Sequence, residues 1–526
     1  MKDVSELNLG SNDAEDYRRR ENKQLFNDIF VKDVNLDRLL QLNTFFLIGE
    51  KGTGKTAYAV YLANNEYQNT RSQLKYIRET EYQKFVILKR EKQLILSDYV
   101  TIWKVIILVL LASNIKEDDI RSPFSKNSKL NTIKKAINDY YYHAFSPEIA
   151  TIMQILDNSK LAAETIFSAI NAKAEISQEI TFSETRFQIN LQYIYRNLLD
   201  SLKVLRLEFN QFLFIDGIDI RPEGVPYNEY LLCVKGLGEA IWSLNNDEFP
   251  SMSGSKGRFK AVLLTRPDIF DSIGLQNSTN KIRNNSVFLD WRTTYPSHRD
   301  SLLFTLGDRL LSYQQNKKND YKIGEVWDHY FKWDSHSTSA NRESDSPFIN
   351  FLRLSYSRPR DIVTILIIFQ DIIKQKGLKL DEMPKHIFYS YEFKNSFSEY
   401  LMGGIKDQLA FYYTSEDYEM LLHFLSLFKG NAQFDYTFFK KAYEDFSNYV
   451  LEKANELPEF IDSPEMFLQF LYESNIICYK ENEGYEPNFR WCYRERSISN
   501  ITPKVEFEKV YRFHYGLIRA LNLGSY

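Results

Sequence analysis

Eight consecutive residues, Gly49-Glu50-Lys51-Gly52-Thr53-Gly54-Lys55-Thr56, have the types and spacing needed to hold a triphosphate. Glycines let successive backbone N–H groups curl around phosphate oxygens. Lys55 reaches the terminal phosphates, and the Thr56 hydroxyl completes a Mg²⁺ shell. A helix that starts directly after such a loop points its positive end at the anion. The flanks suit this chemistry. Residues 43–48 are a short apolar run fit for a buried parallel strand, and residues 57–63 continue as an amphipathic helix.

A second stretch, Phe212-Leu213-Phe214-Ile215-Asp216, reads as a buried strand that ends in a carboxylate. At the C-terminal end of a strand beside the phosphate loop, Asp216 can bind Mg²⁺ directly or through water. Thr56 and Asp216 are thus the candidate metal ligands. The separation between Lys55 and Asp216 is long for one compact core. Within it, residues 81–96 alternate like a strand, and 98–113, 130–142, 147–156 and 161–172 read as helices. Residues 176–191 alternate again. The pattern predicts a mostly helical insertion, about residues 97–175, with the second core strand near its beginning. Partner binding and plain structural elaboration are both open for it.

Residues 257–264 supply another apolar strand, ending in Thr265-Arg266-Pro267. This sets Arg266 at a strand tip, where a sensor of the γ-phosphate would lie. A further strand is expected over 285–291, a helix over 297–313, and loop with short helix over 314–345. Ser357-Arg358-Pro359-Arg360-Asp361 opens a helix to about 373, because proline tolerates the first turn and Asp361 complements the helix dipole. Arg358 and Arg360 form either a solvated cluster or a lid that closes over nucleotide. Helices over 417–428, 436–451 and 464–474, then strands over 476–480 and 489–494, follow the order of a winged helix. Arg490, Arg494, Arg496, Lys504, Lys509, Arg512 and Arg519 make the tail mildly basic, which permits DNA phosphate contacts.

Composition sets bounds. The 526 residues suffice for two to four domains, and a net charge of −4 excludes a strongly basic nucleic-acid coat. The 38 Phe and 35 Tyr favour packed structure over disorder. Cys233, Cys478 and Cys492 are too few and scattered for a disulfide framework or a four-ligand zinc site. The histidines are isolated from one another, so nothing suggests a nuclease or deaminase centre. Residues 1–20 lack an apolar signal core, and the greasiest stretch, 102–112, is too short for a membrane span and carries Lys104. A cytoplasmic protein without membrane association is expected.

Asp216-Gly217-Ile218-Asp219, together with Leu264-Thr265-Arg266-Pro267, resembles the STAND/AAA+ branch of P-loop ATPases, where NACHT-type domains carry similar motifs. Leu9-Gly10-Ser11-Asn12-Asp13-Ala14-Glu15, Phe288-Leu289-Asp290-Trp291-Arg292 and residues 357–361 extend the likeness over about residues 8–375. Together they are similar to a bacterial P-loop ATPase family, several of whose members lie near mobile-element or defence genes. The C-terminal part resembles, more weakly, the winged-helix end of origin-recognition-type AAA+ proteins. The resemblance implies an α/β fold with three parts. These are a P-loop NTPase parallel-sheet core over 1–291, a helical lid with a second sensor over 292–385, and a C-terminal helical, winged-helix-like domain over 386–526.

It also implies roles. Amides of Glu50 to Thr56 would surround the β-phosphate of ATP, Lys55 would bridge β and γ, and Thr56 with Asp216 would hold Mg²⁺. Asp219 would polarise the attacking water, since Ile220 stands where members often carry Glu. Arg266 would meet the γ-phosphate, Arg358 or Arg360 would close from the lid, and Asp13 with its neighbours would line the adenine side. A trans arginine, Arg283 or Arg292, would place ATP between subunits of a homo-oligomer, although both also fit ordinary salt bridges. The expected function is a Mg-dependent ATPase acting as an oligomeric switch or motor in bacterial anti-phage or genome defence, through a separate effector protein. The alternatives are a DNA-binding initiator or loader that uses the C-terminal domain, and a non-hydrolysing nucleotide-gated scaffold.

Overall fold

Parallel strands covered on both faces must be apolar along their length, and the runs ending at Ile48, Asp216 and Thr265 meet that demand. The computed structural model describes residues 1–77, 96–121, 184–222, 224–252, 254–275, 283–315, 321–333, 346–454, 461–483 and 486–523. The chain divides into two units. One comprises Asp33–Ile48 and Lys55–Phe288, and the other Met1–Lys32, Gly49–Gly54 and Leu289–Tyr526.

The first unit is α/β. Strands β1 (Phe46–Ile48), β2 (Thr70–Tyr76), β3 (Asn210–Asp216), β4 (Phe259–Thr265) and β5 (Ser286–Phe288) form an all-parallel sheet in the order β2-β3-β4-β1-β5. Strand β4 therefore lies between the two motif-bearing strands, pairing Leu47 with Leu264 on one side and Phe214 with Val262 on the other. Parallel neighbours need long crossovers. Helix α1 (Val34–Leu40) precedes β1, and α2 (Lys55–Asn64), α3 (Leu96–Ser113), α4 (Glu184–Lys203), α5 (Tyr227–Ser243) and α6 (Pro267–Ile273) lie between the strands. Helix α3 packs against α4 and α5, burying Tyr99, Trp103 and Ile106, and the Trp103 indole N–H donates to Cys233 O at 3.1 Å. No helix among the described residues is long and apolar enough to cross a membrane.

Two expectations change here. The second core strand is Thr70–Tyr76, ahead of the stretch over 81–96, of which 81–95 lies outside the described residues, as do 130–142, 147–156 and 161–172. The alternation over 176–191 does not persist as strand, because the chain is helical from Glu184. Leu198 and Leu202, one helical turn apart, are both buried, which rewards the helical period. Residues 176–183 lie outside the described residues.

The second unit includes a short helix at Lys23–Ile29 and, after residue 289, helices α7 (Leu302–Ser312), α8 (Glu325–Tyr330), α9 (Pro347–Leu354), α10 (Pro359–Gln375) and α11 (Tyr391–Leu409). Their core is aromatic, with Phe351 against Trp327, Phe369 and Phe388. The N-terminal segment is fastened to α10, whose Gln370 amide donates to Val4 O and Leu7 O at 2.8 and 2.5 Å. Farther on come α12 (Ser415–Ser426), β6 (Gln433–Asp435), α13 (Tyr436–Ala454), α14 (Pro464–Glu473), the hairpin β7 (Ile477–Glu483) and β8 (Glu486–Arg490), α15 (Cys492–Glu495) and β9 (Val510–Phe513). The last four strands make an antiparallel sheet in the order β6-β9-β7-β8. The hairpin's second strand stops at Arg490 rather than running to 494, since Cys492–Glu495 turns into helix. Strands β6 and β9 are too short for their alternation to stand out in sequence.

Candidate functional site

In the α/β unit, α2 starts at Lys55 and β3 ends at Asp216, and four side chains meet there. The Thr56 hydroxyl donates to Asp216 Oδ2 at 2.6 Å, although the two residues are 160 positions apart. Gly217 N donates to Asp216 Oδ1 at 2.8 Å. Gly217 has φ +96°, and a Cβ there would sit 2.5 Å from Ile77 O, so only glycine lets the chain turn behind the carboxylate. Lys55 Nζ lies 3.9 Å from Asp219 Oδ2, while Asp219 Oδ1 is buried without a hydrogen-bond partner among the described residues. Burial pushes the Asp216 carboxyl up from its ordinary range, and the nearby Asp219 charge adds to that. The Thr56 hydroxyl and Lys55 pull the other way. A divalent cation would relieve both unfavourable effects at once.

The preceding loop residues, Gly49–Gly54, belong to the other unit and are held within it. Glu50 O accepts from the Thr53 hydroxyl at 2.8 Å, Lys51 O from Arg358 Nη1 at 2.8 Å, Gly52 O from Arg360 N at 3.2 Å, and Thr53 O from the Trp291 indole at 2.8 Å. Four successive carbonyls are thus engaged, which orients the peptide planes of the loop. Gly52 has φ +87°, and a Cβ there would press on Arg360 Cβ at 3.2 Å. The side chains are held as well. Lys51 Nζ pairs with Asp407 at 2.5 Å, and Glu50 pairs with Arg496.

Arg358 caps α10 after Ser357, whose φ of +54° costs an L-residue roughly 1 kcal/mol. Its guanidinium donates to both oxygens of the fully buried Asp361, at 3.1 and 3.0 Å. Burial works against the Arg358 charge, and the Asp361 carboxylate outweighs it, raising the pKa. Arg360 Nε donates to Asn12 O at 3.1 Å, joining the N-terminal segment to the loop, and Asn12 Oδ1 is buried without a hydrogen-bond partner among the described residues. Asp13 is exposed and caps the turn at Ala14, accepting from Glu15 N at 2.9 Å.

Arg266, in the α/β unit, has no exposed surface and forms a bidentate pair with Asp268, at 3.1 and 2.8 Å. Arg292 pairs with Asp290 and donates to Arg494 O, and Arg283 is exposed. The basic tail is largely committed internally. Arg490 pairs with Glu481, Arg494 lies 5.4 Å over the Tyr295 ring, Arg496 is buried on Glu50, and Arg512 lies 4.3 Å over Tyr515.

Sequence reasoning missed Arg496, Asp407 and the indole of Trp291 as loop contacts. Only Trp291 carried a signal, through the Phe288–Arg292 motif. None of the known protein families or curated proteins matches this chain.

Proposed function

We propose that the protein binds ATP with Mg²⁺ and hydrolyses it, as a switch of the STAND/AAA+ type. The observation that carries this reading is the Thr56–Asp216 hydrogen bond, which joins the hydroxyl and the carboxylate that such a site needs for its metal. Supporting it is β4 between the two motif strands, the arrangement expected of the AAA+ class. Asp219 Oδ1, which has no hydrogen-bond partner among the described residues, is a ready acceptor for a water proton. Thr56 and Asp216 would hold Mg²⁺, which neutralises charge on the phosphates. Lys55 would stabilise the developing charge and Asp219 would orient the attacking water. In the C-terminal part, α12-β6-α13-α14-β7-β8 supports a winged-helix-like reading, although its arginines are occupied.

We propose further that the switch works as a homo-oligomer through a separate effector, in bacterial defence. The test is calorimetric titration of ATP with and without Mg²⁺, followed by phosphate release and light scattering. Mg-dependent binding lost in Thr56→Ala is expected, and equal ATP affinity in that variant would sink the reading. A nucleotide-gated scaffold is the second reading, favoured by the commitment of Arg266 to Asp268. It predicts Mg-ATP binding without phosphate release.

A further inference from the structure

Helix α11 acts on Lys51 twice, from one of its faces. Tyr400, Gly403, Gly404 and Asp407 are spaced by three, four or seven residues, which puts them on that face. The Tyr400 hydroxyl donates to Asp361 Oδ1 at 2.9 Å. Asp361 in turn accepts from Arg358, whose Nη1 donates to Lys51 O at 2.8 Å. One helical turn beyond the glycines, Asp407 takes the Lys51 ammonium itself at 2.5 Å. Lys51 is thus fastened by its backbone near one end of the face and by its side chain at the other.

The two attachments differ in their access to water. Asp361 is fully buried, so its pair with Arg358 breaks only at the cost of stranded charge. The Asp407 side chain is 57% exposed and that of Lys51 22%, and an ion pair so open to water is weak. The neighbouring Lys406 lies 5.4 Å over the Tyr418 ring instead. Between the attachments, a Cβ at Gly403 or Gly404 would meet nothing within 4 Å. Packing does not call for glycine there, and glycine weakens a helix interior. The exchangeable contact therefore sits on the loosest part of the helix.

We propose that Asp407 is a placeholder for nucleotide phosphate, and that the Lys51–Asp407 pair is a switch through which Mg-ATP loosens the end of α11. This rests on the nucleotide binding proposed above. Lys51 lies in the run whose amides would surround a phosphate, and its ammonium is a point charge that serves phosphate as well as carboxylate. A triphosphate carries more charge than one carboxylate and draws the ammonium off Asp407, which returns to water. The turn beyond Gly404 loses its tie, while Lys51 O stays on Arg358.

The test is calorimetric titration of Mg-ATP into wild type, Asp407→Asn, Lys51→Met and the double variant, with amide hydrogen exchange followed over residues 401–409. Asp407→Asn removes the competitor and should tighten ATP binding roughly two- to fivefold, the range open to an exposed pair. Lys51→Met should weaken binding, and in that background Asp407→Asn should change nothing. Mg-ATP should speed exchange over 404–409 in wild type, and Asp407→Asn should show the fast exchange without nucleotide. If that variant fails to fold, the exchange in wild type decides. Equal affinity in wild type and Asp407→Asn, tightening that persists in Lys51→Met, or exchange that Mg-ATP leaves unchanged overturns the switch and leaves the nucleotide reading standing. No ATP binding by wild type overturns both.

Discussion

Arg496 forms a buried ion pair with Glu50 across 446 positions of sequence, tying the residue after α15 to the Gly49–Thr56 segment. The Arg496 side chain is 4% exposed and that of Glu50 15%. Removing one partner from such a pair leaves the other charge poorly solvated, which costs about 3 kcal/mol, the low end for buried pairs, because Glu50 keeps some water contact. Arg496→Met should therefore lower unfolding stability by that amount, and adding Glu50→Leu should restore most of it. Urea denaturation of the two single variants and the double variant measures the coupling. A single-variant loss below about 0.5 kcal/mol would mean that the pair behaves as a surface one.

On the proposed function, Lys55→Ala should lose ATP binding, because the buried Lys55 beside Asp219 would supply the charge that meets the terminal phosphates. Asp219→Asn keeps the shape but removes a proton acceptor, so it should bind ATP as wild type does. Its phosphate release should fall roughly 100-fold, the low end for loss of a general base. Turnover at the wild-type rate would remove Asp219 from the mechanism.

For Arg266 the structure and the motif suggest different outcomes. Its fully buried guanidinium is bidentate on Asp268, so Arg266→Ala should lower stability by about 3 kcal/mol. A sensor whose side chain is free to reach the nucleotide would instead lose turnover with stability intact. Parallel thermal melts and steady-state phosphate release distinguish the two.

His514 makes the stability of its unit depend on pH. It is fully buried, accepts from Gly516 N at 3.2 Å on Nδ1, and packs against Tyr356 and Trp491. Burial, helped by Arg494 and Arg358, pushes its pKa down to about 3 from an ordinary 6.5. The unfolded chain therefore binds a proton that the folded one refuses. Stability is full above pH 6.5 and falls as pH drops from 6.5 toward 3, by up to about 1.4 kcal/mol per pH unit. Urea midpoints at pH 5 and 7 should differ in wild type and converge in His514→Phe. The same difference in the variant would assign the effect to another group.

Much of the α/β core was legible because its signals are local. Buried parallel strands are unbroken apolar runs, so β1, β3, β4 and β5 stand out, and α10 announces itself through Pro359 and Asp361. Strand β2 did not, because Thr70-Arg71-Ser72-Gln73-Leu74-Lys75-Tyr76 is largely polar, and among the described residues its one strand neighbour is β3. Strands β6 and β9 are short and gain their identity from pairing partners far along the chain.

The amino-acid sequence by itself determined the Gly49–Thr56 motif, the carboxylates of Asp216 and Asp219, and the helix start at Arg358, since each rests on spacing within a few residues. Tertiary structure alone decided that Thr56 meets Asp216, that Arg266 is occupied by Asp268, and that Arg496, which reads as one more basic residue in a tail, is buried on Glu50. The physical reason is that a charged side chain carries no mark of its partner. Whether it faces water, phosphate or a buried carboxylate is set by which distant elements pack around it.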